Sequence, residues 1–104
     1  MQRVALHTRL KAGREQEYER VHREIPPELD ALLRASGIHA WSIYRRGRDL
    51  FHVVDCDDYA AFLRATNDHP VNRAWQARMA ELLEVVHDHG DAEGNTLPLI
   101  WSLP

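Results

Sequence analysis

"EYERVHREIPPEL", residues 17–29, reads as an amphipathic helix that is interrupted twice. Tyr18, Val21, Ile25, Leu29 and Leu32 recur at steps of three, four, four and three, the spacing of a helical stripe that faces a core. His22 falls on that stripe, an ionisable ring where the pattern asks for an aliphatic side chain. Pro26 has no N–H for the carbonyl of His22, and Pro27 has none for Arg23. A residue that precedes proline also avoids helical dihedrals. The helix is therefore expected to break near residues 23–26 and to restart with proline in its first turn and Glu28 close behind.

That break leaves His22 in the last turn of the first segment. The helix dipole there favours imidazolium, burial favours the neutral ring, and the sequence leaves the balance open. An imidazole poised near neutrality suits general acid–base chemistry. The plainer alternative is a core histidine whose nitrogens are satisfied by its neighbours, beside an ordinary proline kink. Tyr18 lies four residues before His22 on the same face, about 5–6 Å away by helical geometry, so phenol and imidazole can bracket a small polar ligand.

Outward from this segment, Val4, Leu6 and Leu10 alternate with polar positions and predict a strand over about residues 2–10. "KAG" turns the chain into the helix, and Gly37 closes it as a left-handed cap. "IHAWSIYRR" and "LFHVVDC" read as a β-hairpin around the tip "GRD". Asp57 is placed to cap a short helix carrying Tyr59, Phe62 and Leu63. Pro70 opens a further helix that continues through Trp75, Met79, Leu82, Leu83 and Val86. "HDHGDAEGN" is a polar loop. "TLPLIWSLP" is a last strand, which Pro98 confines to an edge or a bulge.

The order β-α-β-β-α-β is the ferredoxin-like split unit, an α+β fold of the dimeric α+β barrel type, here in one domain over residues 1–104. Its helices cover one face of an antiparallel sheet. The other face needs a cover, and a second copy of the same sheet supplies one, so a homodimer is expected.

Bulk properties narrow the function. A net charge of −3 with no basic run argues against nucleic acid and anionic membranes. No apolar run approaches the roughly 20 residues that span a bilayer. The chain opens directly into strand pattern, without a charged and then apolar leader, so a cytoplasmic protein is expected. The single cysteine, Cys56, allows neither an internal disulfide nor a cysteine-based zinc site.

The block "EYERVHREIPPELDALLRASGIHAWSIY" resembles the L-rhamnose mutarotase family: Tyr-x-x-x-His, then Ile-x-Pro-Glu-Leu, then Gly-x-His-x-aromatic-x-Ile-Tyr. "RAWQARM" and the terminal "WSLP" extend the likeness over most of the chain. The resemblance implies a dimeric enzyme that interconverts the α- and β-anomers of a pyranose without cofactor or metal. By position it makes His22 the proton donor and Tyr18 a sugar-contacting residue. Trp41 stands where the family usually has tyrosine. Trp75 is matched to the second of two consecutive tryptophans, with Ala74 in place of the first. L-Rhamnose is the expected sugar, and L-fucose or another 6-deoxyhexose the alternative.

In that chemistry the ring oxygen gains a proton as the C1 hydroxyl loses one, and His22 as imidazolium serves the ring oxygen. Water or a second histidine is left to take the C1 proton. Trp41 and Trp75 offer flat apolar faces to sugar C–H groups, although Trp75 shares a helical face with Met79, Leu82 and Val86 and by pattern alone reads as core. "HDHGD" lacks the helical or hairpin frame of a metal site and reads as a solvated loop. His7 and His52 sit on strands and line either a pocket or the dimer face, while His39 receives no role. The rival readings are a cofactor-free monooxygenase or haem-type protein of similar outline, and a sugar-binding module without turnover.

Overall fold

A computed structural model describes residues 1–86 and 94–104. The alternation at the start of the chain forms β1 (Gln2–Leu10), followed by two helices, α1 (Glu15–His22) and α2 (Pro27–Ala35). The hairpin is β2 (Ile38–Arg46) and β3 (Asp49–Cys56). Then come α3 (Tyr59–Thr66), α4 (Pro70–Leu82) and two short strands, β4 (Leu83–Val85) and β5 (Thr96–Leu97). The antiparallel sheet has the order β2-β3-β1-β4, with β5 also on β1. This is the ferredoxin-like arrangement, in which the two halves of the split unit interleave.

The prolines act as their chemistry dictates. Pro26 is extended (φ −55°, ψ 137°) and precedes α2, whose first residue is Pro27. The carbonyl of Pro26 accepts from the N–H groups of Leu29 and Asp30, so the restarted helix has partners at its N-terminus. α1 ends at His22.

Register fixes the faces. Leu6 of β1 lies opposite His52 of β3, and Thr8 opposite Leu50. All four are fully buried on the helix-covered face, with Leu10, Val54 and Cys56. The core there divides in two. One cluster holds Val4, Leu6, Ile38, Val54, Phe62 and Leu63, with Trp41 against it. The other holds Leu10, Tyr18, Val21, Leu50, Met79 and Leu82, with Trp75 against it. The opposite face of the sheet carries Phe51, Tyr44 and Leu97 exposed.

Three sequence expectations are corrected. The cap of α3 is Asp58, not Asp57: its carboxylate accepts from the N–H of Ala61 at 3.1 Å. Asp57 still belongs to the hairpin, because its N–H donates to the carbonyl of Gly37. The last long helix stops at Leu82 rather than running through Val86. Residues 83–85 pair with Arg9 and Leu10 instead, since the exposed edge of β1 offers hydrogen bonds that a further helical turn lacks. The final strand is only Thr96–Leu97. Pro98 has no N–H to extend the ladder, and Leu99, Ile100, Trp101 and Leu103 follow it exposed.

Candidate active site

The two core clusters do not close on one another. Between them, over the middle of the sheet, lies a cavity of about 440 Å³, a size typical of small-ligand sites. α1 contributes Tyr18 and His22, β2 contributes Trp41, β3 contributes His52, and α4 contributes Asn72, Trp75 and Gln76. All four residues singled out in the sequence, His22, Tyr18, Trp41 and Trp75, thus line one cavity.

His22 is half-buried, and its Nδ1 lies 2.8 Å from the carbonyl oxygen of Tyr18. A carbonyl only accepts, so Nδ1 carries the hydrogen and Nε2 keeps the lone pair in the neutral ring. Nε2 makes no hydrogen bond to any described protein group. The ring is held on two sides, by Tyr18 at 4.1 Å between centroids and by the edge of Trp75 at 5.3 Å. Burial lowers the pKa of His22, and the Tyr18 carbonyl offsets part of that effect. Burial, one of the two influences expected from the sequence, is the larger cause here, and the opposing one is the hydrogen bond to the Tyr18 carbonyl. The resting form near neutrality is the neutral imidazole rather than imidazolium.

Burial also pushes the Tyr18 phenol well above its ordinary value, so it stays protonated as a hydrogen-bond donor. Asn72, buried on α4, donates to the carbonyl of Thr66 at 3.1 Å and accepts from the side-chain amide of Gln76 at 3.3 Å. Sequence reading missed both. Their signal was positional: Asn72 lies seven residues before Met79 and Gln76 three before it, on the stripe that faces the core.

The other histidines separate cleanly. His52 is in the cavity wall, whereas His7 lies on the uncovered sheet face with Nε2 2.9 Å from an Asp49 carboxylate oxygen. His39 is exposed and pairs with Asp57 at 2.6 Å. His87, His89 and Asp91 lie outside the described residues. Among the described residues no group of three or more histidine, cysteine, aspartate or glutamate side chains is placed to hold a metal ion. None of the described helices is long and apolar enough to cross a membrane.

A family profile described as L-rhamnose mutarotase matches residues 3–103. The chain belongs to the L-rhamnose mutarotase family. Among its relatives, the L-rhamnose mutarotase of Sinorhizobium medicae is 37% identical over 102 residues, covering 95% of this chain and 93% of that one. The L-rhamnose mutarotase of Agrobacterium fabrum is 33% identical over 106 residues, covering 100% of this chain and 97% of the other. In three dimensions the chain is similar to the crystal structure of L-rhamnose mutarotase from Formosa agariphila, with a TM-score of 0.78, 22% identity and both chains fully covered. It is also similar to the tetracenomycin F2 cyclase of Streptomyces glaucescens, with a TM-score of 0.73, 16% identity and 100% and 98% of the chains covered. Similarity of that kind shows the fold alone. One fold carries both chemistries, and the family is decided by sequence.

Ala74, at the position of the first tryptophan of the mutarotase pattern, is exposed and is not among the residues that line the cavity. The α4 residue beside Trp75 that does line the cavity is Gln76.

Proposed function

We propose that the chain interconverts the anomers of L-rhamnose and that His22 carries the proton. The observation behind this reading is the tautomer of His22, which leaves Nε2 with its lone pair and without a hydrogen bond to any described residue, in a ligand-sized cavity. Family membership supports the reaction class and the sugar. Opening a pyranose at C1 requires a base for the O1 proton and an acid for the ring oxygen as the C1–O5 bond breaks. Both oxygens are bonded to C1, so one nitrogen serves them in turn. Neutral Nε2 takes the O1 proton, and the imidazolium so formed is the donor to O5. The aldehyde then rotates, and the same transfers in reverse close the ring on its other face. A positioned acid–base group contributes about 10²–10⁴-fold.

Tyr18 donates to a sugar hydroxyl and, through its carbonyl, holds the catalytic ring. Trp41 and Trp75 flank the sugar with apolar faces, and Asn72 with Gln76 supplies amide groups for its hydroxyls. The rest of the reading is a single cytoplasmic domain acting as a homodimer, whose second copy covers the face bearing Tyr44, Phe51 and Leu97. The test is NMR saturation transfer between the anomeric protons of L-rhamnose, L-fucose and D-glucose. Catalysed exchange is expected for L-rhamnose in the wild type and not in His22→Ala. Equal transfer in both proteins removes His22 from the mechanism. Binding without exchange selects a sugar-binding module, and quinol-dependent oxygen uptake or a Soret band with haem selects the rival enzyme class.

A further inference from the structure

Trp41 is tied to the sheet beneath it. Its indole N–H donates to Nδ1 of His52 at 3.1 Å, and Nε2 of His52 lies 2.9 Å from the Thr8 hydroxyl. An acceptor at Nδ1 requires the hydrogen to sit on Nε2, so His52 is the neutral Nε2–H tautomer and donates to Thr8. His52 is 1% exposed and Thr8 fully buried, which leaves water little part in this chain. His52 lies between Leu50 and Val54 on β3, and Thr8 between Leu6 and Leu10 on β1, so this pair sits where the two core clusters meet.

We infer that His52 is a positioning residue that fixes Trp41 as an apolar wall and thereby sets which hexoses the cavity takes. The inference rests on the anomer-exchange reading and adds a determinant of specificity to it. Two consequences of the geometry carry it. First, the indole N–H is committed to His52, so Trp41 presents carbon to the cavity. Second, Trp41 packs among carbon on its other sides: Phe62 lies edge-on to it at 6.1 Å, and Leu33 packs against the same cluster. The other polar lining, from Tyr18, His22, Arg23, Asn72 and Gln76, comes from α1, the residue after it and α4, while both ring nitrogens of His52 are already engaged by Trp41 and Thr8. A methyl group at the Trp41 end loses nothing on binding. A hydroxymethyl group placed there leaves its hydroxyl without a partner, which selects for 6-deoxyhexoses over hexoses.

L-Mannose tests this directly, because it is L-rhamnose with a hydroxyl added at C6. The wild type should exchange L-rhamnose with the higher kcat/KM. His52→Leu should reduce that preference roughly three- to tenfold, the worth of one neutral hydrogen bond, chiefly through KM. Its kcat for L-rhamnose and the pH midpoint, both set by His22, should hold. His52→Asn, whose amide oxygen lies near the place of Nδ1, should recover most of the preference. The effect of His52→Leu should vanish in a Trp41→Phe background, since the two residues act as a unit. Slow hydrogen exchange of the Trp41 indole N–H should be lost in His52→Leu and restored in His52→Asn. If His52→Leu does not fold, Thr8→Val decides, with a smaller change in the same direction. An unchanged sugar preference, or an equal fall in kcat for both sugars, overturns the inference. A wild type that exchanges neither sugar refutes the anomer-exchange reading itself.

Discussion

The carbonyl oxygen of Tyr18 accepts the Nδ1–H of His22 at 2.8 Å, so a residue one helical turn back selects the nitrogen that meets the ligand. The bond lies at the end of α1. Pro26 cannot donate to the His22 carbonyl, the helix stops, and an imidazole at its last residue folds back onto a carbonyl of its own turn. The same bond opposes, without cancelling, the depression of the His22 pKa by burial.

The pH dependence follows from that depression. The catalysed rate of anomer exchange should be level through neutrality and fall only on the acid side of the ordinary imidazole value of about 6.5. The fall marks protonation of Nε2. Stability has the same sign. Between the ordinary value and the lowered native one, the unfolded chain binds more protons at this site, so His22 costs stability as pH falls through that window. Asp49 and Asp55, held low chiefly by hydrogen bonds to His7 and Arg3, act only further into acid. Between pH 7 and pH 5 the denaturant midpoint of the wild type should fall further than that of His22→Gln. Parallel curves would show that His22 titrates alike in both states.

Tyr18→Phe separates the two services of Tyr18. The carbonyl that holds His22 and the ring packed against it, tilted at 4.1 Å between centroids, remain, while the hydroxyl is lost. KM should rise roughly three- to tenfold for one neutral hydrogen bond, with the pH midpoint unchanged. A shifted midpoint would mean that the phenol, rather than the backbone, sets the environment of the imidazole.

Pro27→Ala probes the helix restart. Proline at the first position of α2 has the dihedral the helix needs and no N–H to satisfy, so it stabilises mainly by restricting the unfolded chain. The variant should lose about 0.4–1 kcal/mol, with exchange activity kept. The loss should appear as a small drop in the denaturant midpoint at constant slope. A gain in stability would mean that the break is strained and held against a continuous helix.

How far the sequence reaches is clear from single residues. β1, the hairpin and the break after His22 follow from local chemistry: side-chain alternation, a glycine tip and missing proline donors. β4 does not, because Leu83 continues the helical spacing of Met79 and Leu82, and only the edge of β1, distant in sequence, turns it into a strand. Asp57 and Asp58 cannot be told apart as caps until the hairpin register claims Asp57. His52 illustrates the same limit within the site. Its strand could be read from pattern, but its side of the sheet is fixed by pairing with Leu6 and Ile43. Gln76 carries only the weaker signal of its place on the core-facing stripe, because a glutamine there does not by itself distinguish a cavity wall from a partly solvated edge.

The uncovered sheet face carries the last prediction. Phe51 lies directly across from Tyr44 on that face, 41% and 64% exposed respectively, with the Phe51 ring also 5.4 Å from His7. In a monomer, Phe51→Lys is a surface change and should alter stability by no more than about 0.5 kcal/mol. In a homodimer it places a cation where two sheets meet, and the desolvation of an unpaired charge dissociates them. Sedimentation velocity should therefore find the wild type dimeric across a wide concentration range and Phe51→Lys monomeric. The thermal midpoint of the wild type should rise with protein concentration, because association stabilises by mass action, and that of the variant should not. Should the wild type sediment as a monomer with a concentration-independent midpoint, the exposed pair needs another partner and the second copy is excluded as its cover.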